Sequence, residues 1–141
     1  MIDTLSYLGG IIDGEGCISI NKRTTYYVPS VSISNTNETL INYLKQLFDN
    51  LEVDYCVEYQ DRGSRKNAKP AWVIRVEGKP RVSFLLNLVS DYLIAKKEQA
   101  KLVSEWCSFK GRRRKLVQTD LDIISQIRSL NHRGRVVDSL I

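Results

Sequence analysis

Histidine is nearly missing from this chain: His132 is the one such residue among 141. Zinc sites and catalytic triads that need a histidine beside other ligands have almost nothing to build on, and nuclease chemistries that use several histidines are excluded with them. Any catalysis must rest on carboxylates, lysine and metal. Cysteine is scarce too. Cys17, Cys56 and Cys107 are odd in number, far apart and without a CxxC pair, so neither a disulfide framework nor a zinc site is expected. They read as small buried hydrophobes in a reducing compartment. No stretch reaches the ~18 consecutive apolar residues of a membrane span, and the N-terminus carries Asp3 in place of a basic region followed by a long apolar run. The expectation is a soluble, intracellular protein of the cytoplasm, nucleoid or an organelle matrix, with no membrane partner. Long linkers and low-complexity segments are absent as well, so residues 1–141 are read as one domain.

What is present is a moderate basic excess: 21 Lys and Arg against 16 Asp and Glu give a formal charge of +5 and a pI near 9.2. The basic residues are spread among the acidic ones. A diffuse positive surface suits a polyanion such as nucleic acid, although charge alone does not select it.

Hydrophobic periodicity supplies the architecture. Residues 4–14 have helical spacing, with Leu5, Leu8, Ile11 and Ile12 apolar, small residues Ser6, Gly10 and Gly14 at every fourth position, and Asp3 placed to cap the N-terminus. From Cys17 the period becomes two, with Ile18 and Ile20 on one face and Ser19, Asn21 and Arg23 on the other. A turn around Tyr27–Pro29 leads to a second strand in which Val31 and Ile33 alternate with Ser30, Ser32 and Ser34. Asn37 begins a helix with the stripe Leu40, Ile41, Leu44, Leu47 and Phe48, ending near Asn50. Val53, Tyr55, Val57 and Tyr59 form one face of a third strand, with Cys56, Glu58, Gln60 and Arg62 opposite. A loop over 63–69 precedes a fourth strand, Trp72–Glu77, whose buried Trp72, Ile74 and Val76 would turn Arg75 to the polar side unless a bulge intervenes. Helices follow over about 80–92, 96–109 and 120–130, with a basic run at 110–115. The fold class is α+β: an αββαββα order, a four-stranded antiparallel sheet backed by helices.

Small residues along one face of the first helix let a second backbone approach closely. Glycine inside a helix costs about 1 kcal/mol relative to alanine, so a compensating contact is implied. That contact is either a helix of the same domain or, since the chain has one such helix, its copy in a second subunit related by a two-fold axis. Two-fold symmetry would bring two Glu15 carboxylates together, and cations between them would relieve the repulsion.

The stretch Leu8-Gly9-Gly10-Ile11-Ile12-Asp13-Gly14-Glu15-Gly16 resembles the signature of the LAGLIDADG homing endonucleases; five of its nine positions are identical and four are similar. The resemblance implies a homodimer that cleaves double-stranded DNA at a long, roughly palindromic site across the minor groove, leaving 3′ overhangs, and a gene associated with introns. It also implies Mg²⁺, with Mn²⁺ or Ca²⁺ able to substitute in binding, held by Glu15 and Gly14. Asn35 aligns with a polar residue near the attacking water and Lys96 with a catalytic lysine, Lys97 being the adjacent candidate; where some relatives have a basic residue one turn beyond Asn35, this chain has Thr39. Ser6, Gly9, Gly10, Asp13 and Gly14 fall at the contact between copies, Asp13 with a structural place near the helix end.

The polar sheet face offers Ser19, Asn21, Arg23, Ser30, Ser32, Ser34, Gln60, Arg62 and Arg75 to base edges in the major groove, with Arg23 and Arg62 suited to guanine. Lys66, Lys69, Lys110, Arg112, Arg113, Arg114 and Lys115 suit phosphates. A second nuclease pattern runs through Asp61 and Glu77-Gly78-Lys79, whose spacing is similar to PD-(D/E)xK nucleases. From another class, the same fold suits a noncatalytic nucleic-acid-binding protein, an intron RNA maturase or a transcription regulator.

Overall fold

The computed structural model describes residues 3–61, 69–109 and 116–132. Arg62, Lys66 and the basic run 110–115 lie outside the described residues, so their proposed DNA contacts have no structural account. The described elements are α1 (Thr4–Glu15), β1 (Gly16–Lys22), β2 (Tyr27–Asn35), α2 (Glu38–Asn50), β3 (Cys56–Gln60), β4 (Ala71–Glu77), α3 (Lys79–Val89), α4 (Lys97–Ser108) and α5 (Gln118–Asn131). A short 3-10 turn, Ser90–Tyr92, ends the α3 segment, so the helix expected over 80–92 stops early. The four strands pair antiparallel in the order β1-β2-β4-β3.

The alternation read from sequence decides which face of the sheet the helices cover. Ile18 and Ile20, Val31 and Ile33, and Ile74 and Val76 point to the same side and are buried there. Leu8 and Ile12 of α1, Ile41, Leu44 and Phe48 of α2, Leu85 and Leu86 of α3, Val103 of α4 and Ile127 of α5 join the same apolar core. Each such side chain contributes about 1.5–3 kcal/mol on leaving water, so this face carries the drive to fold. No bulge inverts β4: Arg75 stands opposite Ser32, on the other side.

Local signals hold in most places and fail in three. Asn37 caps α2 through its side-chain oxygen, which accepts from the Leu40 N–H at 3.2 Å. Asp3 occupies the matching position before α1, but its carboxylate accepts from the Ser6 hydroxyl at 2.6 Å and forms no full cap hydrogen bond, the Ser6 and Leu5 N–H groups only helping to hold its charge. The turn expected at Tyr27–Pro29 falls earlier, between Lys22 and Tyr27, and Pro29 pairs with Ile20 inside β2. The Pro29 carbonyl accepts from the Gly78 N–H just past the end of the β4 ladder, and the Gly78 carbonyl, which an N–H at Pro29 would have met, accepts from Val82 of α3. Cys17 and Cys56 are exposed on the polar face, against the expectation of burial, because strand parity sets their side; only Cys107 is partly covered. Burial pushes its thiol up to about 11 against the opposing charge of Lys79.

Both edges of the sheet are restrained. On β1, the Asn131 side-chain amide of α5 donates to the Ile18 carbonyl at 3.0 Å, occupying an outward-facing acceptor. On the other edge, β3 is five residues long.

Candidate functional site

Glu15 is the last residue of α1 and Asn35 the last of β2, and the fold brings the two ends together. The Asn35 side-chain amide donates to Glu15 Oε2 at 2.7 Å, while Asn35 Oδ1 accepts from the Asn37 N–H at 2.7 Å. The second bond fixes which way the amide points, since only its oxygen accepts from a backbone N–H. Glu15 and Gly14 are both exposed. The end of α1 also carries the partial negative charge of a helix C-terminus, to which Glu15 adds a full one. Such a place favours a cation. Its donors are hard oxygens, the Glu15 carboxylate and the Gly14 carbonyl, which fits a hard divalent ion. Among the described residues no group of three or more His, Cys, Asp or Glu is placed to hold a metal.

Asp13 and Lys96 fasten this helix end from within. The Asp13 carboxylate accepts from three backbone N–H groups at the start of α4: Ile94 at 3.0 Å, Ala95 at 3.1 Å and Lys96 at 2.9 Å. Burial opposes its charge, but the N–H groups of Ala95, Lys96 and Ile94 and the Lys96 ammonium outweigh it and hold the carboxyl below its ordinary range. Lys96 is 3% exposed, and its Nζ donates to the Asp13 carbonyl at 2.6 Å. The lysine expected in the catalytic pocket thus donates to the main chain of Asp13, two residues before Glu15 on α1. Lys97 and Thr39 are exposed.

Two neighbouring stripes of α1 differ. Ser6, Gly10 and Gly14 are exposed, and a Cβ added at Gly10 or Gly14 would meet nothing within 4 Å. Gly9 and Asp13, grouped from sequence with the contact between copies, have partners within the chain itself, Gly9 buried and Asp13 half-buried. A Cβ on Gly9 would stand 2.6 Å from the Tyr92 Cβ, and Asp13 is committed to the start of α4. Beside Asp13, Ile94 is 87% exposed.

Register places Cys17, Ser32, Arg75 and Cys56 in one row across the polar face, and Ser19, Ser30 and Glu77 in the next. Ser19, Asn21, Ser32 and Gln60 are partly exposed, Ser34 and Arg23 exposed. Ser30 is an exception to the expected base-reading set: in the middle of the sheet it is 2% exposed and out of reach of a groove. The arginines are not free. Arg23 pairs with Glu77, whose Oε1 also lies 3.6 Å from Arg75 Nε, and Arg75 Nη1 reaches Glu58 Oε2 at 3.1 Å. These acidic partners escape sequence reading, because pairing across strands depends on the order β1-β2-β4-β3; the available signal was the acid at alternate positions of β3 and β4. The Asp61, Glu77, Lys79 pattern does not assemble. Gln60 pairs with Ala71, six residues along β4 from Glu77, which is roughly 20 Å at the ~3.3 Å rise of a strand. Lys79 donates to the Phe109 carbonyl at 3.2 Å.

Comparison with known proteins converges on one architecture. The LAGLIDADG-like domain family matches residues 4–105, a stretch that includes Glu15, Asn35 and Lys96. An uncharacterized protein of Methanocaldococcus jannaschii is 38% identical over 61 residues, covering 43% of this chain and 23% of that protein, so the chain spans less than a quarter of that relative's length. Among solved structures, the homing endonuclease I-TnaI aligns with a TM-score of 0.64 at 19% identity, over 96% of this chain and 92% of that one. I-CvuI, crystallised with a DNA target in the presence of magnesium, gives 0.57 at 16% identity over 94% and 96%. The meganuclease I-SmaMI bound to DNA gives 0.69 at 15% identity, over 94% of this chain and 46% of that one.

Proposed function

The chain belongs to the LAGLIDADG-like domain family, and on that premise we propose that two copies of it form a metal-dependent endonuclease cutting both strands of a long, roughly palindromic DNA site. The observation that carries this reading is Glu15 at the end of an exposed small-residue stripe, oriented by Asn35. Gly10 and Gly14 leave room for a second backbone, and the exposed Ile94 beside Asp13 adds apolar surface to bury. Pairing of two such stripes about a two-fold axis sets two Glu15 carboxylates near that axis. Their repulsion, about 4 kcal/mol at 4 Å in an environment of effective dielectric 20, favours divalent cations between them. Structures of I-CvuI determined with magnesium and with calcium are consistent with that chemistry.

Glu15 and the Gly14 carbonyl are the groups that would hold the ion, and among the described residues no group of three or more His, Cys, Asp or Glu is placed to hold one. When bound, a divalent ion supplies charge neutralisation and Lewis acidity at the phosphodiester. The chain's own residues do the rest. Asn35 donates to one Glu15 oxygen and leaves the other to the ion. Lys96 and Asp13 lock the last turn of α1 onto the start of α4, so that Glu15 does not fray away with its helix end. In this reading Lys96 is a positioning residue. The polar sheet face docks in the major groove, Lys69 and other basic residues reaching phosphates.

A second reading, binding without cutting, is favoured by the commitment of the Lys96 ammonium to a main-chain carbonyl. Incubation with a partly randomised duplex library, with and without Mg²⁺, separates the two. The proposal expects selected cleavage in Mg²⁺ by a dimeric protein, cleavage falling at least about a hundredfold in Glu15→Gln with binding retained. Tight binding of a selected site with no cleavage under any divalent metal establishes the second reading.

A further inference from the structure

The polar sheet face carries a chain of alternating charges, Arg23 to Glu77 to Arg75 to Glu58, running from the end of β1 across β2 and β4 to β3. Its acidic members need an explanation if this face meets DNA. A carboxylate held against a polyanion weakens binding, and exposed ion pairs contribute little to folding stability. Glu77 is the centre of the arrangement. It stands opposite Ser30 in the register, and its Oε1 faces both guanidinium groups.

A guanidinium reads guanine only when its fork is aimed along a base edge; a free one on a flexible stem turns equally well to the nearest phosphate. An acid that occupies one edge of each guanidinium fixes the side-chain rotamer and leaves the remaining N–H groups directed off the sheet. Resting on the DNA-binding reading above, we infer that Glu77 is a specificity-determining positioning residue: it aims Arg23 and Arg75 at base edges and withholds them from phosphates. Glu58 performs the same service for Arg75 alone, from the neighbouring strand. The arrangement exchanges overall affinity for discrimination.

Selection of binding sites from a randomised duplex library, with Ca²⁺ as the metal, tests this on the full chain. Glu77→Gln keeps the shape of the side chain and removes its charge. The expected result is tighter binding to unselected duplex, a steeper salt dependence by about one phosphate contact per freed arginine, and a ratio of selected to unselected affinity reduced about tenfold. The loss of preference should fall at the base pairs lost also in Arg23→Ala and Arg75→Ala. Glu58→Gln should relax only the Arg75 positions. If Glu77→Gln lowers the melting temperature yet selects the wild-type site with an unchanged ratio, Glu77 has a structural role only and the inference is overturned. A wild-type protein that selects no sequence overturns the DNA-reading proposal beneath it, a different outcome from the same experiment.

Discussion

Gly9 and Gly10 are adjacent in sequence and opposite in circumstance. Gly9 has Tyr92 pressed against it so closely that a single added carbon would overlap, while Gly10, one helical step round, faces open space. The first is small because the chain's own interior leaves no room. The second meets nothing within 4 Å among the described residues, and a helix glycine without a contact is a liability of about 1 kcal/mol. Intramolecular packing therefore accounts for one of the two stripes of α1, and the other is the one the proposed dimer would use.

The largest expected effect comes from filling the open stripe. Gly10→Leu should leave the single chain folded, with an unchanged or higher melting temperature, since a Cβ there meets nothing within 4 Å among the described residues and the site is exposed. Cleavage should fall by more than about a hundredfold and sedimentation should report one chain, if close backbone approach brings the two Glu15 together. A Gly10→Leu protein that still sediments as a dimer and cuts normally would remove this stripe from the interface. Gly9→Ala is the converse. Its Cβ meets Tyr92 at 2.6 Å, so overpacking of about 1–3 kcal/mol outweighs the helix propensity gained, and denaturant unfolding should show a net loss of stability with the oligomeric state intact.

How far the sequence discloses this depends on the range of the interaction. Alternation placed Ile18, Ile20, Val31 and Ile33 on the core side and sent Arg75 to the polar side, because a strand's period is a local property. Glu15 and Asn35 were legible as candidates from the motif and its downstream match, and the structure places them in contact. Pro29 misled because a proline reads as a break, whereas here its missing donor falls at the end of a ladder. Gly9 and Ser30 could not be placed from sequence: whether a small residue is covered depends on the segment at Tyr92 for one and on the strands either side for the other. The pairing of Arg23 with Glu77, 54 positions apart, follows from a strand order that no local pattern specifies.

The smallest effect sharpens the same contrast through pH. Asp13 sits on the filled side of α1, its charge stabilised in the folded state by three N–H groups at the start of α4. Its folded pKa lies below the ordinary 3.8. The unfolded chain therefore takes up the proton first as pH falls, so the stability that this carboxylate contributes is full above about 3.8 and is lost as pH drops through the folded value. Asp13→Asn should weaken the attachment of α1 to α4 by about 1–2 kcal/mol near neutrality, as for a lost charged cap. Its denaturant midpoint should then fall less than that of wild type between pH 5 and pH 3, roughly the interval that spans an ordinary Asp titration. Equal slopes in the two proteins would mean that another carboxylate governs acid unfolding and that the Asp13 bonds do not fasten the end of the helix on which Glu15 sits.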